Sequence, residues 1–114
     1  MECLTAHEKL SSMESVTPAE FDALGSSVAL IDVREPSELA EVRTDRAQPM
    51  PMSTFMEHPD ELPGEPIYVL CHSGSRSARV VAYLEQQGRD AVNIEGGIVE
   101  WEAAGLPVVR SAAG

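Results

Sequence analysis

Apolar residues in this chain fall into short unbroken blocks separated by amphipathic stretches, the pattern of buried strands alternating with helices. Val28-Ala29-Leu30-Ile31-Asp32-Val33, Ile67-Tyr68-Val69-Leu70 and Ala91-Val92-Asn93-Ile94 have strand length and almost no polar interruption. Such runs are expected of strands covered on both faces. Thr17-Pro18-Ala19-Glu20 predicts a helix start, with Thr17 as cap, Pro18 at the first helical position and Glu20 completing a capping box. That helix ends near Gly25, and Pro36 opens a second one running to Val42. Two prolines between Gln48 and Ser53 limit that stretch to an edge or very short strand. Thr54 to Glu57 predicts a single helical turn, and His58 to Gly64 a loop. Ser77 to Gln87 predicts a helix with Ala78, Val81, Ala82 and Leu84 on one side, stopped by Gly88. Gly97 to Ala103 is the last predicted helix, closed by Gly105, and Pro107-Val108-Val109 runs out to the terminus.

Strands alternating with helices imply an α/β domain of three layers, a central mostly parallel sheet with helices on both faces. Residues 1–14 lack periodicity and are expected to form a flexible tail, with the domain over 15–110 and a short C-terminal tail over 111–114. In such sheets ligands bind beyond the carboxyl ends of the strands. Asp32-Val33-Arg34, Cys71 and Glu95-Gly96-Gly97 each follow a core strand, so three polar landmarks fall on one rim.

Composition sharpens this picture. A chain of 114 residues fits one domain with a core of its own. With two Phe, two Tyr and one Trp, aliphatic residues must build most of that core. Formal net charge is −11, from 19 acidic against 8 basic side chains. That balance opposes nucleic acid, whose binding rests on neutralised phosphates. No apolar run approaches a membrane span, and Met1-Glu2-Cys3-Leu4-Thr5-Ala6-His7-Glu8 lacks the pattern of a secretory signal. Two distant cysteines give no disulfide framework, so a reducing cytoplasm is the default compartment. His7, His58 and His72 lack metal-ligand spacing, no Walker loop or dinucleotide fingerprint is present, and no cofactor is expected.

Chemistry concentrates in Cys71-His72-Ser73-Gly74-Ser75-Arg76-Ser77. An apolar strand delivers a cysteine to its end, a short polar loop follows, and a helix opens at once. Backbone N–H groups can then ring one point at a helix N-terminus, where amides and helix dipole both favour a negative charge. A thiol so placed near a basic group typically has a pKa of about 3.5–7.5. Judged alone, Cys71 would be a small buried apolar residue ending a strand; Gly74, Arg76 and the following helix favour a nucleophile.

This loop, together with Leu30-Ile31-Asp32-Val33-Arg34-Glu35-Pro36, Glu95-Gly96-Gly97, Trp101 and Ala104-Gly105-Leu106-Pro107-Val108, resembles the rhodanese family of single-domain sulfurtransferases. The landmarks stand in the family's order over about residues 15–109. The resemblance implies a sulfurtransferase that moves a sulfane sulfur from thiosulfate, or from a small-molecule or protein persulfide, to cyanide or a thiol through a Cys71 persulfide. It also implies that Arg76 helps bind the anionic donor, with the N–H groups of His72 to Ser77 around it and Gly74 permitting the tight curve. One departure stands out: where many members carry Gly-His-Ile-Pro-Gly-Ala, this chain has Val42-Arg43-Thr44-Asp45-Arg46-Ala47, adding Arg43 and Arg46 near the rim.

Each flanking residue has a structural and a functional reading. His72 is either a hydrogen-bond donor or base beside the nucleophile, or a loop side chain without a role. Ser73 and Ser75 are candidate hydroxyl donors, and Ser77 is expected to cap the helix. Asp32, acidic at the end of a buried strand, needs a partner, and a hydrogen bond to the active-site loop's backbone is the expected one. Arg34 either faces the rim to attract an anion or pairs with Glu38 four residues on. Arg79 is a further cation near the loop. Gly96 and Gly97 either let backbone approach the loop closely or form a plain helix-start turn. Trp101 is expected to cover the core, and Cys3 either resolves an oxidised Cys71 or is idle in the tail.

Two rival readings remain. A persulfide carrier or binding module for one partner protein would suit the negative field, since a basic partner approaches more easily. A cysteine phosphatase or arsenate reductase shares the thiolate cup but spaces Cys and Arg by five residues, whereas four lie between Cys71 and Arg76. A monomer is expected.

Overall fold

The computed structural model describes residues 14–55 and 64–110. Expectations for Cys3, His7, His58 and the two outer tails lie outside those residues. Five parallel strands form the main sheet: β1 (Ser15–Val16), β2 (Ala29–Asp32), β4 (Gln48–Pro49), β5 (Ile67–Leu70) and β6 (Ala91–Ile94), in the order β1-β6-β5-β2-β4. The helices are α1 (Pro18–Asp22), α2 (Pro36–Glu41), α3 (Met52–Phe55), α4 (Ser75–Gln86) and α5 (Gly97–Ala103). The three apolar blocks form the centre of the sheet, and β5 and β6 are buried at every position.

Side-chain alternation splits these strands between two cores, as the period of two requires. On one face Ile31, Val33, Ile67, Val69 and Ala91 pack with Val80, Val81 and Leu84 of α4. On the other, Leu30, Tyr68, Leu70, Val92 and Ile94 pack with Phe21 of α1 and with Ile98 and Trp101 of α5. Three layers result, as expected. The parity has a chemical consequence. Cys71 continues the series Ile67, Val69 and belongs to the first core, so its thiol faces the start of α4.

Several local expectations hold. Glu20 N donates to Thr17 Oγ1 at 3.1 Å and Thr17 N to Glu20 Oε1 at 2.9 Å, the capping box of α1. Pro49 sits in β4, an edge strand where its missing N–H costs no ladder bond. Trp101 is 2 % exposed and lies against Phe21, its indole N–H donating to Pro107 O at 3.1 Å.

Others need correction. The long helix begins at Ser75, not Ser77, because Gly74 adopts the left-handed cap with φ 105°. Its inward stripe is Ser77, Val80, Val81 and Leu84, whereas Ala82 is exposed. Reckoning from apolar residues alone missed that a serine belongs to the buried face. α2 stops at Glu41, since Val42 is extended and starts β3 (Val42–Arg43). α3 lies two residues before its expected place. β3 pairs antiparallel with β7 (Val109–Arg110), a two-residue ribbon too short to leave a period in the sequence. Glu14 is already tied to the sheet, its carbonyl accepting from Asn93 N at 3.0 Å.

Candidate active site

Cys71 follows the last residue of β5, and the chain then turns through His72, Ser73 and Gly74 into α4. What fixes this turn is the neighbouring start of α5. Ile98 N donates to Cys71 O at 2.8 Å and Val99 N to His72 O at 3.2 Å. Two loop carbonyls are thereby drawn toward the free N–H groups of α5, and the loop's own amides face the sulfur. Gly97 makes this contact possible: a Cβ there would lie 2.4 Å from both carbonyl oxygens. Gly96 precedes it as a left-handed cap with φ 77°. Close approach and helix-start turn are therefore both true of this glycine pair.

Gly74 N donates to Cys71 Sγ at 3.0 Å, and Ser77 Oγ lies 3.3 Å from the same sulfur. The Ser77 hydroxyl also reaches Gly74 O at 3.1 Å and the carboxamide of Asn93. Burial alone would raise the Cys71 pKa. The Ser77 hydroxyl and the N–H groups of Ser77, Gly74 and Arg76 outweigh it, and the pKa lies below that of an ordinary thiol. Cys71 is 0 % exposed, beneath the loop that follows it. His72, Ser73 and Ser75 are exposed on that loop. Ser77 does not cap α4; its side chain points inward at the sulfur.

Asp32 and Arg34 are bound to each other rather than to the loop or the rim. Asp32 Oδ2 accepts from Arg34 Nη2 at 2.9 Å, and Oδ1 accepts from Arg34 Nε at 3.1 Å and from its backbone N at 3.0 Å. Arg34 is 1 % exposed and also donates to the carbonyl of Val42 at 2.8 Å. A buried carboxylate and a buried guanidinium two residues apart satisfy one another, which overturns three readings: an Asp32 bond to the loop, an Arg34 aimed at donors, and an Arg34–Glu38 ion pair.

Glu38 instead grips Arg76. Both terminal nitrogens of Arg76 donate to the two carboxylate oxygens of Glu38, each at 2.7 Å. The Arg76 hydrogen bonds, opposed by partial burial, hold the Glu38 pKa at about 2. The same partner raises the Arg76 pKa. The loop's terminal guanidinium is thus turned to α2, while its backbone N–H serves the sulfur. Arg79 is exposed on the next turn of α4. Arg43 and Arg46 do not reach the rim. Arg46 donates to Val28 O and Gly25 O and lies 4.8 Å from the Phe21 ring centroid, at the opposite end of the sheet, and Arg43 pairs with Asp45 in solvent.

Two residues escaped the sequence reading. Asn93 stands on the same face of β6 as Ala91 and reaches the serine behind the thiol; its signal was a carboxamide inside an apolar strand. Glu38 was considered only as a partner for Arg34. Among the described residues no group of three or more His, Cys, Asp or Glu is placed to hold a metal ion, and no helix is long and apolar enough to cross a membrane.

A parallel three-layer domain with a cysteine cradled by amides at a helix start defines a class of thiol-dependent domains, and comparison with known proteins narrows it. Residues 17–104 match the rhodanese-like domain. A sulfurtransferase from Allochromatium vinosum is 39% identical over 84 residues, spanning 72% of this chain and 78% of that protein. The crystal structure of a rhodanese-related protein from Thermoplasma volcanium superposes with a TM-score of 0.78 at 34% identity, covering 84% of this chain and 97% of that one. A rhodanese-like domain protein from Staphylococcus aureus gives 0.72 at 36% identity, covering 78% and 91%. This chain belongs to the rhodanese-like domain family, with relatives named as sulfurtransferases.

Proposed function

We propose that the protein is a sulfurtransferase working through a persulfide on Cys71, with thiosulfate or a persulfide as donor and a thiol or cyanide as acceptor. The Cys71 thiolate attacks the outer sulfur of the donor; an S–S bond forms on Cys71 and the remainder of the donor leaves with the electron pair. An acceptor thiolate or cyanide then attacks the terminal sulfur and releases Cys71 as thiolate. Both steps are nucleophilic displacements at sulfur that pass through the Cys71 persulfide, giving ping-pong kinetics.

The observation that carries this reading is the hydrogen bonding of Sγ to Gly74 N and Ser77 Oγ at the start of α4. The same donors that favour the thiolate would hold the terminal sulfur of an anionic persulfide. The ring is one residue shorter than the phosphatase loop, which suits a single sulfur atom better than a phosphoryl group. Thiocyanate formation from cyanide with thiosulfate and with an alkyl persulfide, beside hydrolysis of an aryl phosphate, tests the proposal. Sulfur transfer abolished by Cys71→Ser, with negligible phosphate release, is expected. Cys71-dependent phosphate release exceeding transfer from either donor would reverse the assignment.

A further inference from the structure

We infer that Glu38 sets the donor class of this site: by engaging Arg76 it withdraws the loop's side-chain cation and leaves a cup that favours persulfides of low charge over the thiosulfate dianion. This rests on the sulfur-transfer reading above.

The clamp is built rather than incidental. Arg76 gives both terminal nitrogens to Glu38 at 2.7 Å, a bidentate pairing that fixes the direction of the guanidinium and offsets its charge. Glu38 is itself held in place, since its Oε1 also accepts from Glu35 N at 3.0 Å. The pair joins α2 to the first turn of α4, and each side chain is 31% exposed. Among the described residues no spare cation replaces Arg76 from below: Arg34 is buried and bound by Asp32. Arg46, Arg89 and Arg110 are engaged with carbonyls or carboxylates elsewhere. Arg79, exposed to solvent, acts only through a screened field.

The charges then decide between donors. Attack of a thiolate on thiosulfate gathers three negative charges at the cup, and releases sulfite with two of them. Against these stand the loop amides and a helix dipole equivalent to about half a positive charge. An alkyl persulfide brings at most one negative charge. Its outer sulfur bonds to Cys71, the inner S–S bond breaks, and an alkyl thiolate leaves carrying one charge. The formal charge of −11 adds to the disadvantage of the dianion.

The test measures the loading rate of Cys71 from thiosulfate and from 2-hydroxyethyl persulfide, for wild type and Glu38→Gln. Glutamine keeps an oxygen for Glu35 N but removes the charge that occupies Arg76. Wild type is expected to load faster from the persulfide, and the substitution to raise the thiosulfate-to-persulfide rate ratio about tenfold. A purely structural role for Glu38 would lower both rates and leave the ratio alone. Salt dependence of the wild type gives a second readout needing no variant: screened repulsion makes the thiosulfate rate rise with sodium chloride. An unchanged ratio, or a thiosulfate rate that falls with salt, overturns the role of Glu38 while leaving sulfur transfer standing. Failure of both donors to load wild-type Cys71 would overturn the sulfur-transfer reading itself.

Discussion

The hydroxyl oxygen of Ser77 lies 3.3 Å from Cys71 Sγ and also contacts the Asn93 carboxamide, so a polar column runs from β6 to the thiol through an otherwise apolar core. A hydroxyl has one proton and cannot serve the sulfur, Gly74 O and Asn93 together. Asn93 Oδ1 accepts from that hydroxyl in the structure, so an ionised Cys71 competes with Asn93 for the one proton and, as the charged acceptor, takes the stronger bond. A hydrogen bond to a charged group is worth roughly 1.5–3 kcal/mol. Ser77→Ala should therefore raise the midpoint of the pH profile for iodoacetamide alkylation by about one to two units. An unmoved midpoint would leave the amides alone responsible for the thiolate.

Gly97 bears on the same thiol from outside the loop. Alanine there would carry both a positive φ of 59° and a Cβ 2.4 Å from the carbonyls of Cys71 and His72. Gly105 has a comparable φ of 82° but nothing within 4 Å of its Cβ. Gly97→Ala should cost roughly 2–4 kcal/mol and slow sulfur loading, whereas Gly105→Ala should cost about 1–2 kcal/mol and leave loading intact. Urea denaturation and loading rates of the two variants check this, and equal behaviour would remove the link between α5 and the loop.

Asp32 and Arg34 form a buried pair whose hydrogen bonds go to each other and to the Val42 and Glu38 carbonyls, and to neither Cys71 nor its loop. Removing one charge leaves the other buried and uncompensated, at a cost of about 3–5 kcal/mol. Asp32→Asn should lower stability by that order while the surviving folded fraction keeps its thiol reactivity. A well-folded variant with an altered Cys71 pH profile would instead give Asp32 a part in the site.

Glu38 makes stability depend on acid. Its folded pKa of about 2 lies below the ordinary value of 4.5. A carboxylate depressed in the native state adds stability that is full above the unfolded pKa and disappears as pH falls through the folded one. The contribution is thus present above about pH 4.5 and lost toward pH 2. At about 1 kcal/mol or less for a partly exposed pair, Glu38→Gln should melt a few degrees below wild type at pH 6. The gap should close by pH 2, and a gap that persists there would deny the pair its electrostatic role.

How much of this was legible in the chain follows the length of each signal. Four-residue apolar blocks fixed the three central strands, and Thr17-Pro18-Ala19-Glu20 fixed the start of α1 to the residue. Two-residue strands such as Ser15–Val16 and Val109–Arg110 carry no period and were missed. Cys71 and its loop were recognisable because a cysteine, a glycine and a helix start coincide within a few residues. The partners of the charged residues were not: Arg76 meets Glu38 across 38 positions and Ser77 meets Asn93 across 16. Those distances are closed only by the packing of α2, α4 and β6.

The most direct measurement is the intact mass of the protein after incubation with an alkyl persulfide or thiosulfate and removal of excess donor. Wild type should gain the mass of one sulfur atom, lost again on addition of cyanide, and Cys71→Ser should gain nothing. The same gain on Cys71→Ser, or none on wild type with either donor, would contradict sulfur transfer through Cys71.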